Sequence, residues 1–169
     1  MLSHAWPAVP KPFADETFGG WIGRMAGRYG ITVDELSDAA GVTLDLHGNG
    51  YGWLAASPPV GRALARLADK CRMLPSEIEA LGAPSVSKAN GLPYCYRCLV
   101  LNPCDVFAPY WKASWSQQEF WTCDGHDGWR DYLIGKHLSE HRNFPSLLAT
   151  LEKRWIRFNN WRVTKGTAF

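Results

Sequence analysis

Apolar positions recur at helical spacing near the start of the chain. Phe18, Trp21, Ile22, Met25, Ala26 and Tyr29 fall on one face, so the pattern predicts a first helix that stops at Gly30. Asp15 and Glu16 suit the first turn of that helix, where its dipole is positive. Thr32-Val33-Asp34-Glu35 follows as a capping-box pattern, with the Thr32 hydroxyl and the Glu35 carboxylate taking up free amides. Leu36, Ala39 and Ala40 give the second helix its apolar face, and Gly41 ends it. Residues 42–56 read as irregular, because Gly48, Asn49, Gly50 and Gly52 are turn formers. Ser57-Pro58-Pro59 reads as an N-cap followed by prolines in a first helical turn. Val60, Ala63, Leu64, Leu67, Ala68 and Cys71 form the apolar face of that third helix. Met73 and Leu74 then lead into Pro75-Ser76-Glu77-Ile78, closed by Leu81 and Gly82.

The two helix pairs repeat with an offset of 42: Ile22 matches Leu64, Met25 matches Leu67, Ala26 matches Ala68, Ile31 matches Met73, Glu35 matches Glu77 and Leu36 matches Ile78. Arg24 and Arg66, and Arg28 and Lys70, fall in the same register. The repeat points to two copies of a helix-turn-helix-like element. Four unrelated amphipathic helices in one α-helical domain would give a similar pattern.

Residues 83–91 have the composition of a linker, and the texture changes after them. Cysteines and aromatics crowd the stretch from Tyr94 to Trp129. Cys95-Tyr96-Arg97-Cys98 and Cys123-Asp124-Gly125-His126 are two close pairs of soft ligands. Such pairs, each converging from one knuckle, are what a tetrahedral zinc ion needs, so Cys95, Cys98, Cys123 and His126 read as a closed structural site. A redox Cys-x-x-Cys is the main rival, but it leaves the matching Cys-x-x-His unexplained. Residues 110–115 and 119–122 are rich in strand formers, with Ser116-Gln117-Gln118 as a turn, so a hairpin is expected to carry one knuckle to the other. Trp111, Trp115, Trp121 and Trp129 are expected to pack around the metal as a substitute for a large core. Cys71 sits on an apolar helix face and reads as buried packing, while Cys104 is a weaker candidate ligand. His137 and His141 read as an exposed or nucleic-acid-facing pair, and His47 as uninformative.

Charge changes the picture of the ends. The 169-residue chain has a net charge of +2, but its acids and bases are segregated. Residues 1–50 hold Lys11, Arg24 and Arg28 against Asp15, Glu16, Asp34, Glu35, Asp38 and Asp45. Residues 136–169 hold Lys136, Arg142, Lys153, Arg154, Arg157, Arg162 and Lys165 against Glu140 and Glu152. A basic tail on a near-neutral body suggests local contact with a polyanion, although a solvated helix face would look the same. Ser146 to Trp161 is helix-like, with Leu147, Leu148, Leu151, Trp155 and Ile156 as its apolar positions. The expected fold is mainly α with a small zinc-ribbon β-hairpin: a helix-turn-helix-like domain at 1–82, a linker at 83–91, a zinc-ribbon module at 92–135 and a basic helical tail at 136–169. Neither a membrane-spanning apolar run nor a secretory leader is legible, so the cytoplasm is the expected location.

The order of these features resembles the TniQ family of transposition proteins. Phe13 to Phe18 leads into Trp21-Ile22-Gly23-Arg24, and a helical unit with Gly30-Ile31-Thr32 and Glu35-Leu36 follows. Tyr94-Cys95-Tyr96-Arg97-Cys98-Leu99, Tyr110-Trp111-Lys112, Trp115 and Cys123-Asp124-Gly125-His126 are similar to the family's zinc ribbon. The resemblance covers residues 10–133. It implies a non-enzymatic adaptor that helps choose the insertion site, on target DNA directly or on an RNA-guided CRISPR effector. It also implies recruitment of an AAA+ ATPase that brings the transposase. The family's second cysteine knuckle is missing here, and the basic helix-like stretch stands in its place.

Under this reading Arg154, Arg157, Arg162 and Lys165, with Lys153 beside them, contact DNA phosphates. Trp155 is expected to anchor the tail to the body. Two other functions fit parts of the sequence. One is a helix-turn-helix and zinc-ribbon transcription regulator, although the acidic start of the second helix is poorly suited to a major groove. The other is a zinc-supported nuclease using His126, Asp127, His137 and His141, for which no convincing metal and base constellation is legible.

Overall fold

The computed structural model describes residues 5–45, 51–84, 91–100, 109–117, 122–123, 126–129, 131–133 and 141–164. It is mainly helical, with two small two-stranded antiparallel sheets.

The first unit pairs α1 (Phe18–Tyr29) with α2 (Val33–Ala40). Thr17 caps α1 by accepting from the Gly20 amide, and Gly30 ends it in the left-handed conformation at φ 69°. The Thr32/Glu35 capping box is present in full, and Gly41 closes α2. Asp15 and Glu16 are not in the first turn of α1 as expected. Both precede the cap, and each is engaged elsewhere. Glu16 is buried and takes a two-pronged contact from Arg24, 2.7 Å at each oxygen, while also accepting from the Phe13 amide. Its burial pushes its carboxyl above the usual range, against the pull of the Arg24 hydrogen bond and charge.

The second unit pairs α3 (Gly61–Cys71) with α4 (Pro75–Glu79). It repeats the first in backbone detail. Arg72 occupies the left-handed position that Gly30 holds in the first unit, at φ 54°. The Met73 amide donates to the Ala68 carbonyl as Ile31 does to Ala26. Glu77 accepts from the Leu74 amide at 2.7 Å, as Glu35 does from Thr32 at 2.7 Å. Ile22, Met25, Ala26 and Leu36 are buried, and so are Leu64, Leu67, Ala68 and Ile78. Two details differ from expectation. Pro58 and Pro59 lie ahead of the helix rather than in its first turn, since a proline forces the residue before it out of the helical region. Val60, the N-cap residue, is 82% exposed rather than part of the apolar face.

The helix α7 (Phe144–Thr164) packs against α1. Asn143 caps it by accepting from the Ser146 amide, and its own amide nitrogen donates to the Ile31 carbonyl. The Val33 amide donates to the Arg142 carbonyl, and Pro145 lies against Gly27, where a Cβ would come within 2.4 Å of the proline ring. The second unit holds Asp69 and Pro75 at the positions of Gly27 and Val33. Asp69 carries a side chain where Gly27 has none, and Pro75 has no N–H to donate. Gly19, Gly23 and Gly27 thus make a stripe on α1 that takes in a 3₁₀ turn, Gly52–Ala55, and the start of α7.

Pairing in the cysteine-rich part differs from the expected hairpin. β1 (Leu92–Tyr94) pairs with β4 (Asp131–Leu133), and β2 (Thr122–Cys123) pairs with β3 (His126–Trp129). The stretch at 110–115 does not form the expected strand. Lys112 makes one bridge to Glu16, and the chain then turns into the short helix α6 (Ser114–Gln117). The Asp15 carboxylate causes the turn, taking the Ser114 amide at 3.0 Å and its hydroxyl at 2.6 Å. Of the expected turn residues, Gln118 lies outside the described residues. Buried side chains from all three parts of the chain join in one apolar cluster, from Phe18 and Trp53 to Leu92, Trp111 and Leu147.

Candidate metal centre

Each cysteine is set by a different element. Cys95 follows β1 and starts the one-turn helix α5 (Tyr96–Leu99), its carbonyl accepting from the Leu99 amide. That turn swings Cys98 back to the same side as Cys95. Cys123 arrives on β2. The three sulfurs lie within 4.8 Å of one another, with Cys98 and Cys123 3.6 Å apart. Tetrahedral Zn–S bonds of about 2.3 Å place sulfurs about 3.8 Å apart, so this donor set fits such an ion closely. Cys95 and Cys123 are buried and Cys98 is half-buried, and no disulfide joins the cysteines among the described residues.

The electrostatics favour a shared negative charge. Hydrogen bonding from the Cys98 thiol lowers the Cys95 pKa to about 5, against the opposing effect of burial. Cys98 moves the other way, because its thiol donates that hydrogen bond and so keeps its proton, while burial and the Cys95 charge disfavour a second thiolate. A metal ion would remove this competition by drawing all three sulfurs into the thiolate form. This cysteine trio is the one group of three or more His, Cys, Asp or Glu side chains able to hold a metal among the described residues.

His126, the expected fourth ligand, is the Cα partner of Cys123 across the β2–β3 hairpin. Its side chain lies outside the described residues, as do Cys104, His47, His137, Trp121, Lys165 and the side chains of Trp129, Trp161 and Arg162. Trp111 and Trp115 are buried and meet edge to face at 5.5 Å, with Tyr94 against Trp111 at 5.6 Å. These rings are core, as expected. Cys71 is buried, and burial pushes its thiol up to about 12. His141 is also buried, contrary to the expected exposed pair, and its carbonyl accepts from the Trp53 indole at 2.9 Å.

Of the basic residues expected to meet DNA, those from Lys153 to Arg162 lie on α7. Lys153, Arg154 and Arg157 are exposed there. Trp155 stacks on Tyr96, with ring centroids 4.3 Å apart and planes 17° from parallel. Tyr96 sits between Cys95 and Cys98 in the knuckle, so the cysteine cluster and the basic helix share a direct contact. The sequence reading missed this link, the Glu16–Arg24 pair and the glycine stripe. Glycines at 19, 23 and 27, spaced by one helical turn, were the available signal for the stripe.

Comparison with known proteins adds no relative: no family model, curated protein or solved structure matches the chain.

Proposed function

We propose that this chain is a non-enzymatic adaptor in DNA transposition, linking target-site recognition to an AAA+ ATPase regulator and its transposase. The observation that carries the reading is the three-cysteine cluster built into the same core as a doubled helical unit. A metal held there stabilises architecture. The ion is zinc, and His126, across the hairpin from Cys123, completes a Cys3His set with no position left for a reacting water. The resemblance to TniQ proteins gives the biological setting, and the charge distribution supports it. The exposed Asp34, Glu35 and Asp38 of α2 suit a basic protein partner such as the ATPase. The exposed Lys153, Arg154 and Arg157 suit DNA, and Arg162 and Lys165 follow them in the sequence. The same acidic α2 argues against a helix-turn-helix regulator, whose recognition helix would meet phosphates.

Reconstitution tests the function. An AAA+ ATPase and a transposase encoded beside this chain, with donor and target DNA, should insert at a defined site only when the chain is present. Unchanged insertion frequency and position without it would refute the reading, as would magnesium-dependent plasmid cutting by the chain alone. The metal is tested separately by mass spectrometry. One zinc per chain is expected, and a chelator should unfold the cysteine module.

A further inference from the structure

The two halves of α7 have different surroundings. Phe144, Leu147 and Leu151 are buried in the body. From Glu152 to Asn160, Trp155 and Asn159 are the part-buried side chains among those described, and the others are exposed. At about 100° per residue, the exposed Glu152, Lys153, Arg154, Ile156, Arg157 and Asn160 sweep about 200° of the helix circumference. A helix open over more than half its circumference can be flanked by a partner on two sides.

The open side has a distinct composition. Lys153, Ile156, Arg157 and Asn160 fall at i, i+3, i+4 and i+7, a stripe opposite Leu147, Leu151 and Trp155. Ile156 is 50% exposed, one of the few large apolar side chains left in water among the described residues. Over residues 152–164, Lys153, Arg154, Arg157 and Arg162 face a single acid, Glu152. That balance selects a polyanion as the occupant. Phosphate binding alone needs only the cations. An amide and a branched apolar side chain in the same stripe add groups that bases, rather than phosphates, can use.

We infer that this half-helix enters the major groove of duplex DNA and reads sequence there. Asn160 pairs with adenine through its N6 and N7 positions, Ile156 packs on a neighbouring thymine methyl, and Arg154 and Arg157 hold phosphates along one wall. The dimensions agree, since a helix with side chains is about 10–12 Å across and the groove is about 12 Å wide. Residues 152–164 span roughly 20 Å, or about five to six base pairs. The inference rests on the DNA contact in the proposed function and specifies its form.

The test is selection by the full-length, metal-loaded chain from duplexes with a random core, at fixed salt. A short enriched site containing an invariant A·T pair is expected. Asn160→Ala should lose preference at that pair by about tenfold, leaving affinity for random duplex unchanged. Arg154→Ala with Arg157→Ala should weaken all duplexes alike and flatten the salt dependence by about two charges. These side chains are exposed, and thermal melts matching the parent chain would exclude a folding defect. No enriched site, tighter binding to single strands than to duplex, or an intact preference in Asn160→Ala would each overturn the inference. If insertion depends on the chain but no site is selected, this inference alone fails. If a site is selected but insertion ignores the chain, the transposition reading alone fails.

Discussion

Gly23→Ala isolates what the glycine stripe does. In an open helix this change is favourable by about 1 kcal/mol, because alanine loses less backbone freedom than glycine. At position 23 the new Cβ would stand 2.3, 2.8 and 3.0 Å from three atoms of the Trp53 ring. Ordinary contact begins near 3.4 Å, so the ring must retreat by about 1 Å. It has little room, because Trp53 is buried and its indole N–H is tied to the His141 carbonyl. Overpacking of this kind costs about 1–3 kcal/mol, and weakening that hydrogen bond adds about 1 kcal/mol. Subtracting the helical gain leaves a net loss of about 1–3 kcal/mol. Urea unfolding of the metal-loaded protein would show it as a lower midpoint at unchanged slope. Gly82→Ala is the control, since a Cβ there meets nothing within 4 Å. A Gly23→Ala protein as stable as its parent, or more so, would refute the packing argument.

The other expectations concern the remaining contacts. Glu16→Ala should cost about 3 kcal/mol, because it leaves the Arg24 guanidinium largely buried without its partner, and the double variant with Arg24→Ala should lose less than the two single losses combined. Cys71 should resist iodoacetamide at pH 9, where an ordinary thiol is substantially ionised, since burial keeps it protonated up to about pH 12; rapid alkylation of the folded protein would contradict this. Trp155→Ala should cost about 1–2 kcal/mol by removing the stack on Tyr96, and protease should then cut sooner after Arg154 and Arg157. Chelation should produce a similar increase in cutting of α7, because Tyr96 belongs to the cysteine knuckle.

Locally determined features were legible in the sequence. The Thr32/Glu35 box, the stops at Gly30 and Gly41, and the Cys95/Cys98 knuckle all depend on residues within a few positions of each other. The repeat was legible because both units need the same buried positions. The strand expected at 110–115 failed because its fate is set by Asp15, 99 residues away from Ser114. Strand propensity cannot register that carboxylate. His141 read as exposed for the same reason: its burial depends on Trp53, 88 residues earlier. Val60 looked like a face residue by spacing, but it precedes the helix whose face it was meant to join. Of the candidate metal site, the three cysteines were legible and the strand pairing that brings Cys123 to the others was not.

The two helical units share backbone details, yet α7 is seated on α1 of the first. Asp69 and Pro75 distinguish them, blocking by bulk and by a missing donor the seat that Gly27 and Val33 leave open. These two positions therefore act as an address label. Reverting both, by Asp69→Gly with Pro75→Val, would remove these two differences between the units. Two units with the same local backbone thus differ in what they can hold, and the difference lies in one added side chain and one missing donor.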